Sequence, residues 1–189
     1  MALTPSSGCE MLQSGFMEVI VKRLLVYLIE IILLFVIQSA GFHYFQLANI
    51  MPNLLLILVI STAYMRGRFS GMMLGFFCGI LIDLMFGSYI IGLYALLYLL
   101  LGYLMGFTHR FYSNDDYTLP IVLVGIGDLM YGFFYYVFEF LLRGRLDFLY
   151  YLRRFILPEI IYTIAASVLL YKLLHMINNR LERKPEEEV

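Results

Sequence analysis

The sequence has no tryptophan, only two cysteines and three histidines, and few charges: 14% of its 189 residues. Soluble domains carry about 25% charged residues, so this scarcity leaves little surface for a soluble catalytic site. Cys9 lies near the start and Cys78 in an apolar run, where a thiol packs as a small hydrophobe rather than joining a disulfide framework. His43, His109 and His175 are far apart and near segment ends. They suggest no shared metal site, and no cofactor is implied. Thirteen basic and fourteen acidic residues give a net charge of -1. With no lysine- or arginine-rich block, nucleic-acid binding has no footprint. Residues 1–17 lack the positive start and cleavage site of a secretory signal.

What is present is hydrophobic. Apolar residues make up 62% of the chain, and mean hydropathy is +0.84. A nearly uncharged stretch of about 18 residues or more is long enough to cross the hydrocarbon of a bilayer. Six apolar segments follow one another: Leu24–Phe42, Pro52–Met65 (extended by Ile50 and Met51), Ser70–Phe86, Tyr89–Phe107, Tyr117–Leu142 and Phe155–Ile177. A segment in lipid must satisfy its own backbone hydrogen bonds, so these are predicted helices. The runs are continuous rather than alternating, unlike barrel strands. The predicted fold class is all-α, a polytopic membrane bundle of about six transmembrane helices. Residues 1–21 read as an irregular tail, 22–178 as the membrane domain and 179–189 as a charged cytoplasmic tail.

Lys22, Arg23, Arg66, Arg68, Arg110, Arg180, Arg183 and Lys184 fall on one side of a six-span layout. By the positive-inside rule that side is cytoplasmic, with both termini there. Residues 143–154, RGRLDFLYYLRR, disagree: four arginines, including Arg143 and Arg145, would face outward. Either the stretch lies in the interface with its aromatic residues among headgroups, or its arginines dock on an acidic partner.

Gly67, Gly71, Gly75 and Gly79 recur every fourth residue along the third segment, and Gly102 and Gly106 repeat the spacing in the fourth. Small residues at this interval let helices approach closely; a face lining a substrate is the alternative. Asp83 in ILIDLMFG and Asp128 in GIGDLMYG share Asp-Leu-Met-aromatic-Gly, a hint of an internal repeat. Acids in membrane helices must face protein, water or a partner. Structural hydrogen bonding or partner docking, an ion or substrate path, and a tolerated interfacial charge all remain open for these two. Glu30 and Glu139 are also in apolar context, and Gln38 can bridge helices. Pro52 and Pro158 are expected in first turns, with Glu159 favouring the positive end of the sixth helix. Asp115–Asp116 reads as a solvated turn.

The stretch IMPNLLLILVISTAYMRGRFSGMMLGFFCGILIDLMFGSYIIGLYALLYLLLGYLMG resembles the MreD family of bacterial rod shape-determining membrane proteins. The resemblance rests on Pro-Asn followed by leucines, then Gly79-Ile80-Leu81-Ile82-Asp83-Leu84, Gly92-Leu93 and Gly102-Tyr103, and runs from about Lys22 to Asn178. It implies a fold similar to the substrate-binding membrane component of energy-coupling-factor transporters. It also implies a non-catalytic scaffold of the elongation complex in the bacterial cytoplasmic membrane, not an enzyme. Such a scaffold binds MreC and helps organise peptidoglycan synthesis and cell shape. RodA, a class B penicillin-binding protein and MreB belong to the wider complex. In this reading the glycine faces pack the third and fourth helices or receive an MreC helix, while Asp83, Arg143 and Arg145 orient its external domain. The rival reading is a transporter subunit with a polar pocket near Asp128, Glu139 or Gln38.

Overall fold

The structure is a computed structural model that describes residues 6–44, 52–86, 92–112, 118–139 and 148–182. In order these are α1 (Ser6–Tyr44), α2 (Leu54–Arg66), α3 (Arg68–Phe86), α4 (Leu93–Met105) with a 3₁₀ turn at Gly106–Phe111, α5 (Thr118–Glu139), α6 (Phe148–Tyr151), a π-helical turn at Leu152–Ile156, and α7 (Leu157–Glu182). The last three run on as one rod, so the described residues form six helical rods and no strand. Arg68–Met85, Thr118–Phe138 and Leu152–Arg180 are each long and apolar enough to cross a membrane, while Leu24–Ala40 and Leu54–Arg66 are shorter apolar helices.

α2 occupies the centre. Every residue from Leu55 to Met65 is buried, and α1, α3, α4, α5 and α7 all pack against it. A helix apolar on all sides is stable only when enclosed. Its neighbours turn large side chains outward: Phe77 is 58% exposed, Leu84 74% and Leu169 80%. An apolar exterior of this extent is the face a bundle offers to lipid. α1 shows the same habit, with Leu28, Ile29, Ile32 and Leu33 exposed and Ile31 and Leu34 buried.

The 13 residues of α2 span only about 20 Å, less than the thickness of the hydrocarbon core. The helix therefore begins within the bundle, and its first amides must find partners inside the protein. Its other end passes into α3 through a single residue. Gly67 has φ 88° and ψ -177°, a region essentially closed to residues with a Cβ.

Two expectations differ from the structure. α1 is helical from Ser6, so residues 6–21, read from sequence as tail, continue the first helix. That stretch holds Gly8 and Gly15 but no proline after Pro5. Glycine weakens a helix by about 1 kcal/mol without stopping it, as proline would. Pro158 does not start the sixth helix either, because the rod already begins at Phe148. Proline has no N–H and its ring clashes with the carbonyl one turn earlier. The rod accommodates it by widening: the Leu157 N–H donates to the Leu152 carbonyl, five residues back.

Candidate functional site

The glycine stripe sits in the tightest helix contact of the molecule. α3 and α4 run antiparallel, and each α3 glycine faces α4 backbone. A Cβ at Gly75 would lie 2.8 Å from the Tyr98 carbonyl carbon, and one at Gly79 would lie 2.6 Å from the Ala95 nitrogen. A Cβ at Gly71 would fall 2.8 Å from the Gly102 carbonyl oxygen, and one at Gly106 2.7 Å from the Arg68 nitrogen. No side chain fits between such surfaces, and the close approach of two backbones is held by summed dispersion contacts. This face is filled by α4 of the same chain, which leaves no groove there for a second helix or a substrate.

Asp83 reinforces the pair from the other end. Its Oδ2 accepts from the Ala95 N–H at 2.9 Å and its Oδ1 from the Tyr94 N–H at 3.4 Å. Residue 92, at the start of α4, is a glycine with φ 91° and no side chain to cap the helix. The neighbouring helix supplies the missing acceptor, and its charge suits the positive end of the α4 dipole.

A second polar node surrounds the start of α2. Gln38 of α1 accepts from the Leu55 N–H at 3.2 Å through Oε1. Asn53 Oδ1 accepts from the Leu56 N–H at 3.2 Å and from the Tyr98 hydroxyl at 2.6 Å. The Asn53 N–H donates to Thr163 Oγ1 of α7 at 3.3 Å, and the Leu54 N–H to the Pro52 carbonyl at 3.1 Å. Side chains from α1, α4 and α7 thus converge on one helix end. Each of these bonds satisfies a buried amide or hydroxyl that would otherwise cost about 1–3 kcal/mol.

Asp128 lies beside this node. It is 2% exposed, and neither carboxylate oxygen makes a well-formed hydrogen bond, although Thr163 is adjacent. Tyr131 meets Tyr98 edge-on at 5.6 Å and stacks on Tyr135 at 6.0 Å. Glu159, expected to serve as a helix-end charge, instead lies within a rod that starts upstream at Phe148.

The opposite end of α2 carries Arg66. Its Nε donates to Asn178 Oδ1 of α7 at 2.7 Å, and its guanidinium lies 5.1 Å from the Tyr27 ring centre of α1. A small cavity between α1, α2 and α7 is bordered by Arg66, Glu30 and Thr62. His109 Nδ1 is 2.8 Å from the Tyr64 carbonyl, and His175 pairs with Asn179 at 3.0 Å. Both rings hold structure, and no group of three His, Cys, Asp or Glu able to hold a metal occurs among the described residues.

The sequence-derived candidates therefore separate. Gly71, Gly75, Gly79, Gly102, Gly106 and Asp83 come together in the α3–α4 seam. Asp128 belongs to the buried node, and Arg143 and Arg145 lie outside the described residues. Sequence reasoning missed Asn53, Tyr98 and Thr163 as site residues. The one local signal was the Pro-Asn step before a run of leucines, since asparagine there can cap a helix.

Among known proteins, the chain matches a family model described as rod shape-determining protein MreD, over residues 18–180. No curated protein and no solved structure matches.

Proposed function

We propose that this chain, which belongs to the MreD family of rod shape-determining proteins, is a non-catalytic membrane scaffold that binds MreC and positions the elongation machinery. The family match over residues 18–180 carries this reading. The family's role lies in rod shape determination, and three of the described helices have the length and apolarity of membrane spans.

The bundle's construction suits a scaffold. The α3–α4 seam is locked backbone to backbone, and α2 is fully enclosed. Interfaces of such a protein then lie on the outward apolar faces and on the loops. The basic stretch between α5 and α6 offers charge for orienting a partner's external domain. RodA, a class B penicillin-binding protein and MreB join through the same complex in this reading.

The layout supports an arrangement with both termini in the cytoplasm. Arg66 meets Asn178 and Tyr27, which brings the last turns of α2 and α7 to one end with the basic start of the membrane-crossing part of α1. Arg68 at that end lies 4.6 Å from the Phe107 ring centre. Positive charge gathered at one end marks the cytoplasmic side.

The test is co-purification of MreC with the tagged chain from native membranes, alongside depletion of the chain in growing cells. The expected result is MreC retained by the tag and rods that become round. Cells that stay rod-shaped, with MreC absent from the eluate, would remove the scaffold role.

A further inference from the structure

The rod that ends in α7 matches the bilayer in length. Its membrane-crossing part, Leu152–Arg180, holds 29 residues, about 43 Å of helix. A bilayer with both headgroup layers is about 40–45 Å thick, of which hydrocarbon takes about 30 Å. The two ends of this segment therefore lie among headgroups. Asn178, which accepts from Arg66, marks one end. Arg153 and Arg154 in the π turn mark the other.

Packing turns both arginines out of the bundle. Ile156 is buried and faces Gly132 of α5, which fixes the inward side of the π turn, and Arg153 and Arg154 are exposed. Tyr150, four residues before Arg154, is exposed as well, and tyrosine is favoured at headgroup depth. The same face continues toward the bilayer centre without a polar break. Leu157, Ile161, Ala165 and Leu169 follow Arg153 at steps of four, and all are exposed. Residues four apart form one ridge along a helix. From Leu157 to Leu169 the ridge covers about 18 Å, close to the acyl depth of one leaflet, about 15 Å. Two positive charges and a phenol thus sit directly above an apolar strip of one leaflet's depth. That outline matches a single amphiphile. Guanidinium groups pair with phosphate through parallel N–H···O bonds. With no acid on this ridge, two of them side by side favour a headgroup of net negative charge over a zwitterionic one.

We infer that Tyr150, Arg153 and Arg154 hold the phosphate of one anionic glycerophospholipid, whose acyl chain lies along Leu157, Ile161 and Leu169. The site is separate from Arg143 and Arg145. It depends on the membrane setting and not on the scaffold role.

The chain has no tryptophan, so Leu157→Trp provides a single reporter beneath the arginines. The full-length variant is reconstituted in phosphatidylcholine vesicles with rising fractions of phosphatidylglycerol brominated on its acyl chains, or of phosphatidylcholine brominated in the same way. Bromine quenches tryptophan on contact, so the two curves give the local preference between the lipids. Phosphatidylglycerol should be preferred about twenty-five-fold, because each arginine near the membrane surface contributes about five-fold. Adding Arg154→Gln should lower the preference about five-fold, and adding Arg153→Gln as well should abolish it. Phe77→Trp, on the exposed face of α3, should show no preference. Equal quenching by the two lipids at residue 157 overturns the assignment and leaves the arginines to an acidic protein partner. A preference that survives both arginine substitutions also overturns it, as does one equally strong at residue 77, which is general surface attraction. If the arginine variants do not fold, the comparison of residues 157 and 77 decides alone.

Discussion

The carboxylate of Asp83 in α3 lies across the first turn of α4, accepting from the Ala95 N–H at 2.9 Å and more loosely from Tyr94. One acid therefore joins two helices whose backbones already touch along Gly71, Gly75 and Gly79. It supplies the cap that Gly92 lacks.

Replacing Asp83 by alanine should lower stability by about 1 kcal/mol, the usual cost of a lost N-cap. The Asp83→Asn variant keeps a side-chain acceptor and should lose only part of that. Thermal unfolding in detergent reads the difference. Equal midpoints for wild type and Asp83→Ala would mean that the α4 terminus does not depend on this cap.

Gly75→Leu forces four carbons against the Tyr98 backbone. Overpacking of a filled contact costs about 1–3 kcal/mol, and more where backbone must move. Reduced protein level and loss of co-purified MreC are expected. Phe77→Leu, one face away and 58% exposed, should change neither. Unaltered level and unaltered MreC in Gly75→Leu would rule out the packing role.

Asn53→Ala removes the Leu56 cap and the acceptor of the Tyr98 hydroxyl together. The expected loss is about 2 kcal/mol, combining a cap with a stranded buried hydroxyl. Tyr98→Phe should cost less, and the double variant should lose less than the two singles added, because they share one hydrogen bond. Strict additivity in a double-mutant cycle would separate the two residues.

Charge reversal at Arg143 and Arg145 should weaken MreC binding, chiefly by slowing association, and the weakening should shrink as salt is raised. Binding kinetics at two ionic strengths check this. Rates equal to wild type at low salt would exclude the loop as an orienting surface.

Much of the fold is legible in the chain because lipid leaves few options. Long uncharged runs must be helices, and the fourfold glycine spacing must put small residues on one side. The start of the rod ending in α7 is hidden because Pro158 is a strong local stop signal. A π turn can absorb that signal when the surrounding bundle holds the helix in place. The placement of Glu159 is hidden for the same reason: its role follows from where the rod begins.

Sequence by itself determined the membrane setting, the count of helical rods, the glycine stripe and the short length of α2, since each depends on residue type and spacing along one segment. Only the tertiary structure decided what those features meet. It set α4 against the glycines, turned Asp83 to the α4 amides, and gathered Gln38, Asn53, Tyr98 and Thr163 at the α2 terminus. These contacts join residues distant in the chain. They are fixed by how rigid helices pack and by the need of each buried amide and carboxyl for a partner, which no local pattern encodes.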